Sequence, residues 1–116
     1  MRLEAEERAK HDRRAVELFN AGSYWEAHEA LEAIWRAVDD EDEARALQGL
    51  IQAAAALLHR ERGNRHGVVS VGTKALERLA GPQLPAVEFE TVEFRAALER
   101  ALFAGEPAPR LELRRP

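Results

Sequence analysis

Apolar residues recur along this chain at helical spacing, not at the alternation of strands. Leu47, Leu50, Ile51, Ala54, Leu57 and Leu58 make one stripe at i, i+3, i+4 and i+7. They predict a helix from about Glu43 to Arg62. An earlier helix, about Leu3 to Ala21, has a charged first half with Glu4–Arg8 and Glu6–Lys10 at the favourable i,i+4 spacing. Its core contacts, Ala15, Val16, Leu18 and Phe19, come later. Gly22 fits a helix stop, Ser23 an N-cap, and Glu26 three residues on would complete a capping box. The second helix then runs to about Val38, with Ala27, Leu31, Ile34 and Val38 as its apolar stripe. Asp39, Asp40, Glu41 and Asp42 lack the Gly and ligand spacing of a calcium loop and read better as acids favoured at a helix N-terminus.

Gly63 and Asn64 mark a tight turn into a fourth helix, about Arg65 to Ala80. Val68, Val69, Val71 and Gly72 lower its propensity, and Leu76 and Leu79 restore the pattern. Gly81, Pro82 and Pro85 mark a loop. A fifth helix, about Thr91 to Ala104, presents Phe94, Leu98 and Leu102, and Gly105 ends it. In the tail, residues 105–116, Leu111 and Leu113 fit either an extended segment packed on the body or a frayed end. The pattern therefore predicts an all-α fold: a single bundle of about five helices built from antiparallel hairpins, with its core over about 12–104. Trp25, Leu31, Ile34, Trp35, Leu47, Leu50, Ile51, Ala54 and Leu58 are expected to be largely buried.

The second helix carries a further stripe, Trp25, His28, Glu32 and Trp35. A solvated face seldom holds two Trp, and a plain core seldom holds a His and a Glu between them. The third helix answers with Gln48, Gln52, Ala55 and His59. In a short-turn antiparallel hairpin centred near Asp40–Glu41, His28 lies level with Ala53 and Glu32 with Gly49. Gln52 and Gln48 are then their natural partners. His59 sits about 9 Å farther along the axis, nearer Asn20, Tyr24 and Trp25.

These residues admit a structural hydrogen-bond network, a pocket for a small molecule or peptide, or a metal or acid–base site. The metal reading is short of ligands. His28 and Glu32 could share one ion, but HEALE lacks the second His of a zinc-peptidase motif, and Trp25 stands where a di-iron motif needs Glu. No metal or cofactor is expected. His11 and His66 read as surface histidines. The candidate binding residues are Tyr24, Trp25, His28, Glu29, Glu32, Trp35, Gln48, Gln52 and His59. A binding or interaction module leads, and a hydrolase-like or metal-assisted enzyme using His28, Glu32 and His59 is the alternative.

Composition narrows the setting. With 116 residues, 46% hydrophobic and 33% charged, one soluble domain with a modest core is expected. A net charge of −4 argues against nucleic acid as the main partner. No cysteine means no disulfide, thiolate or Cys-zinc chemistry. No apolar run nears the roughly 18 residues of a membrane span. The charged N-terminus has no apolar leader core, so a cytoplasmic protein is expected. Fifteen of 17 basic residues are Arg, which fits a GC-rich, thermophilic bacterial source. Small molecules, peptides, other proteins or a second copy of the chain all remain open as partners.

GSYWEAHEALEAIW, followed by LQGLIQAAAALLH and then GN, resembles a small family of bacterial helical domains of unknown function, number three hundred and nine in that series. Tyr24, Trp25, Glu26, His28, Glu29, Glu32, Trp35, Gln48, Gly49, Gln52, His59, Gly63 and Asn64 stand at its spacing. The resemblance runs from roughly Ala15 to Leu79. It implies an all-helical fold and no particular activity. GVVSVGTKAL departs from the leucine- and alanine-rich fourth helix usual there. LFNAGSYWEAHEAL is also similar to a tetratricopeptide hairpin, though the Gly22-to-Gly63 spacing exceeds the usual period of about 34 residues. That similarity favours a binding role.

Overall fold

The computed structural model describes residues 3–114, folded into α1 (Ala5–Asn20), α2 (Tyr24–Trp35), α3 (Glu41–Glu61), α4 (Arg65–Arg78) and α5 (Val92–Ala104). Met1, Arg2, Arg115 and Pro116, at the ends of the predicted domain and tail, lie outside the described residues. The turns explain the order. After α1 and after α3, glycine takes a left-handed conformation, φ 79° at Gly22 and 69° at Gly63. The next N–H bonds back five residues, from Ser23 to Leu18 O at 2.9 Å and from Asn64 to His59 O at 2.9 Å. This closure satisfies carbonyls that the helix end leaves open. Asp40 starts α3 by accepting from the Glu43 N–H at 2.8 Å, and Asn64 starts α4 by accepting from Gly67 at 3.0 Å. Ser23 makes no such side-chain bond, so the expected capping box is absent. α2 also ends at Trp35, earlier than expected, because Ala37 and Val38 bond back only three residues as the chain tightens toward the acidic turn.

α3 is the central element. It packs most extensively on α4 and α2, and α2 packs in turn on α1. Leu31 and Ile34 of α2 meet Leu47, Leu50, Ala54 and Leu57 of α3 in one fully buried cluster. Leu58 and Trp35 only border it. α5 lies against α4 and α3 and reaches α1 through Phe94, whose ring meets Phe19 edge-on at 5.5 Å.

The tail is the extended segment, not the frayed end. Leu111 is fully buried, and Leu113 forms an antiparallel bridge with Phe89. The Asn20 amide holds the tail by donating to Leu111 O at 2.9 Å and accepting from Leu111 N at 2.8 Å. α5 and the tail together close one side of the hairpin array. Among the described residues neither α4 nor α5 packs extensively on α2, and the outer seam of α2 and α3 is left uncovered.

Candidate functional site

That uncovered face holds a small cleft of about 140 Å³, lined by Glu32, Trp35, Gln48, Ile51 and Gln52. α2 contributes Glu32 and Trp35 because its Ala27, Leu31 and Ile34 stripe is turned inward, which rotates this second stripe to the rim. Gln48 and Gln52, one turn apart on α3, face it across the hairpin. Four of the predicted residues therefore meet here.

Their hydrogen bonding departs from the expected network. The Gln48 carbonyl accepts from the Arg78 guanidinium of α4, not from α2. Gln52 Oε1 and His28 Nδ1 are shielded from water and have no hydrogen-bond partner. His28 Nδ1 is 3.9 Å from Glu32 Oε1, and Arg36 approaches the same oxygen at 3.9 Å, both beyond hydrogen-bond length. Both side chains are partly buried, His28 25% exposed and Glu32 34%.

Trp25 corrects a second expectation. It is 56% exposed and does not line the cleft. It sits in the first turn of α2, and its ring lies flat on His28 with centroids 5.8 Å apart. Glu29 is exposed on the outer side of α2. Tyr24 points the other way, into the core, edge-on to Phe19 at 5.3 Å. Burial pushes its hydroxyl above the ordinary range, and the nearby Glu61 charge adds to this.

His59 is not part of this group. Its ring lies over Gly67 of α4, so close that a Cβ there would meet ring atoms at 2.5 Å. Asn64 Nδ2 donates to His59 Nδ1 at 3.1 Å, while the Asn64 carbonyl caps α4. His59 thus fastens the α3–α4 turn, seven residues past Gln52 and about 10 Å along the axis. Among the described residues, no three His, Asp or Glu side chains converge as a metal site would need.

Other hollows are already satisfied. One of about 160 Å³ at the α3–α4 turn includes Arg60, which donates to Ala101 O at 3.1 Å and Glu106 O at 2.9 Å. The α2–α3 cleft differs in having polar atoms at its edge without partners. Sequence reasoning did not find Arg78, because a basic residue in the last turn of a helix is favoured by the helix dipole wherever it points. It also missed Asp12, buried under Arg8, which bonds it at 2.7 Å and reaches Glu43 of α3 at 2.6 Å.

No helix among the described residues is long and apolar enough to cross a membrane. No solved structure matches the chain. An uncharacterized protein of Aquifex aeolicus (strain VF5) is 33% identical over 84 residues, which is 72% of this chain. The chain spans 25% of that relative's length. A family profile described as Domain of unknown function (DUF309) matches residues 13–71, from α1 through both walls of the cleft into α4, and the chain belongs to that family.

Proposed function

We propose that the outer face of α2 and α3 is a binding site and that the chain works as a non-catalytic binding module. One observation carries this reading. Among the described residues, His28 Nδ1 and Gln52 Oε1 are the buried side-chain atoms without partners, and both lie on this one helix pair. Buried polar atoms are almost always satisfied, and each exception costs about 1–3 kcal/mol. Gln52 lines the cleft, so a ligand that draws its amide outward and donates to it would remove part of that cost. Trp35 and Ile51 give it apolar walls, and Glu32, Gln48 and Gln52 give it direction. The exposed Trp25 extends the face beside the cleft and offers a partner a large apolar contact. The enzyme alternative is weaker, since His59 is held at the far turn and leaves His28 and Glu32 to act alone.

Fragment screening by amide and indole NMR shifts tests the site. Binders should perturb Glu32, Trp35, Gln48 and Gln52 together, and Gln52→Met should weaken them. Hits that leave these four resonances unmoved would refute the assignment.

A further inference from the structure

The geometry points to a planar cation, a guanidinium group, as the occupant of the α2–α3 cleft. This rests on the binding-site reading above and adds the chemistry of the ligand. Size comes first. About 140 Å³ is well below the roughly 300–1,000 Å³ of pockets that enclose whole drug-sized molecules. It suits the head group of one side chain or a very small molecule.

The polar groups at the cleft that lack a hydrogen-bond donor are acceptors. Glu32 presents a carboxylate whose neighbouring nitrogens, on His28 and Arg36, stand at 3.9 Å. Gln52, which lines the cleft, carries just beneath its surface a carbonyl oxygen that receives no N–H, and a rotation of the side chain would present it. A guanidinium carries N–H groups on several edges of one plane, so it can donate to a carboxylate and a neighbouring amide oxygen together. Trp35 supplies the apolar wall, and an indole face attracts a cation within about 6 Å. Gln48, at the wall of the cleft, already takes a guanidinium N–H from Arg78 outside it.

Two nearby charges oppose the fit. Arg36 competes for Glu32, but it is 69% exposed and not in hydrogen-bond contact, so it is easily displaced. Arg78 repels a second cation. The Glu32 charge must offset that repulsion, which makes Glu32→Gln the decisive variant.

The experiment is an NMR titration of the full chain with methylguanidinium chloride, well below denaturing concentrations and matched against sodium chloride. Acetate and an acetylated Gly-Arg-Gly amide serve as parallel probes. Methylguanidinium should give saturable shifts at the Trp35 indole and the Gln52 amide, weakened roughly tenfold or more in Glu32→Gln. Gln52→Met should weaken it as well, as a second variant outside the charge argument. Tighter binding of the peptide would support an arginine presented by a protein partner. Equal binding would support a free small molecule, with the same cleft chemistry. Saturation by acetate at the same resonances, without methylguanidinium binding, would overturn the cationic ligand and leave the binding site standing. Silence from all three probes at these resonances would overturn both.

Discussion

Replacing Gln52 with Met should make the protein more stable, which is unusual for a substitution on a central helix. The unpartnered Gln52 Oε1 is shielded from water and costs roughly 1–3 kcal/mol relative to an apolar group of similar shape. Met and Gln are both unbranched and have similar helix propensity, so α3 itself is unaffected. Gln52 is only partly buried, and exposing some extra apolar surface returns part of the gain. A net stabilisation of about 1–2 kcal/mol remains. In a chain of this length each kcal/mol moves Tm by roughly 4 °C, so Tm should rise by about 4–8 °C. Gln48→Met, one turn earlier, is the control. Gln48 accepts from Arg78, and its loss strands a partly buried guanidinium. That variant should lose about 1–3 kcal/mol. Thermal and urea denaturation of both variants reads the two signs directly. A fall in Tm for Gln52→Met, matching that of Gln48→Met, would show that Gln52 belongs to a satisfied structural network and would remove the main argument for the site.

Other substitutions probe the frame around it. Asn20→Ala removes both hydrogen bonds to the Leu111 backbone and should cost about 1–3 kcal/mol, with hydrogen exchange accelerated at the Leu111 amide above all; unchanged protection there would refute the clamp. Gly67→Ala should destabilise despite a helix-propensity gain of about 1 kcal/mol, because the added Cβ drives into the His59 ring. In a His59→Ala background the same change should become stabilising, and no reversal of sign would refute the contact. Asp12 gives a pH dependence. Burial raises its carboxyl above the ordinary range despite the bond from Arg8. The folded state therefore holds this proton more tightly than the unfolded chain, so the Asp12 contribution is full below the ordinary carboxylate range and is lost as pH rises through the raised value. The stability of Asp12→Asn relative to the parent should climb with pH across that window in urea titrations, and a decline would refute the shift.

The helices were legible because their determinants are local. The leucine stripe of α3, the Asp40 and Asn64 caps and the glycine stops at 22 and 63 all act within a few residues of themselves. The meeting of Glu32, Trp35, Gln48 and Gln52 was also legible, since a short hairpin turn fixes which residues lie level. What failed depends on a third element. Whether Gln48 turns to α2 or α4 is decided by Arg78, thirty residues away. Gly67 reads in sequence as a weak point of a helix, yet its missing side chain is the space that His59 fills. Trp25 belongs to the same stripe as Trp35, yet it stands out in solvent with its ring on His28, and spacing alone does not separate the two.

The same distinction bears on the meaning of the site. Elsewhere the fold satisfies its buried polar groups, at separations from four residues to ninety-one. Asp12 is met by Arg8, the Thr91 hydroxyl and N–H by Gln83, and the Leu111 backbone by Asn20. Gln83 also donates to Phe89 O at 3.0 Å, so a single amide ties down the loop into α5. A chain able to build those contacts does not lack the means to satisfy two more atoms. Among the described residues the deficit is confined to the α2–α3 pair, which also carries Trp35 and the exposed Trp25. Loose packing would scatter such defects along the chain. Their concentration beside a cleft is the pattern expected of a surface completed by something outside it.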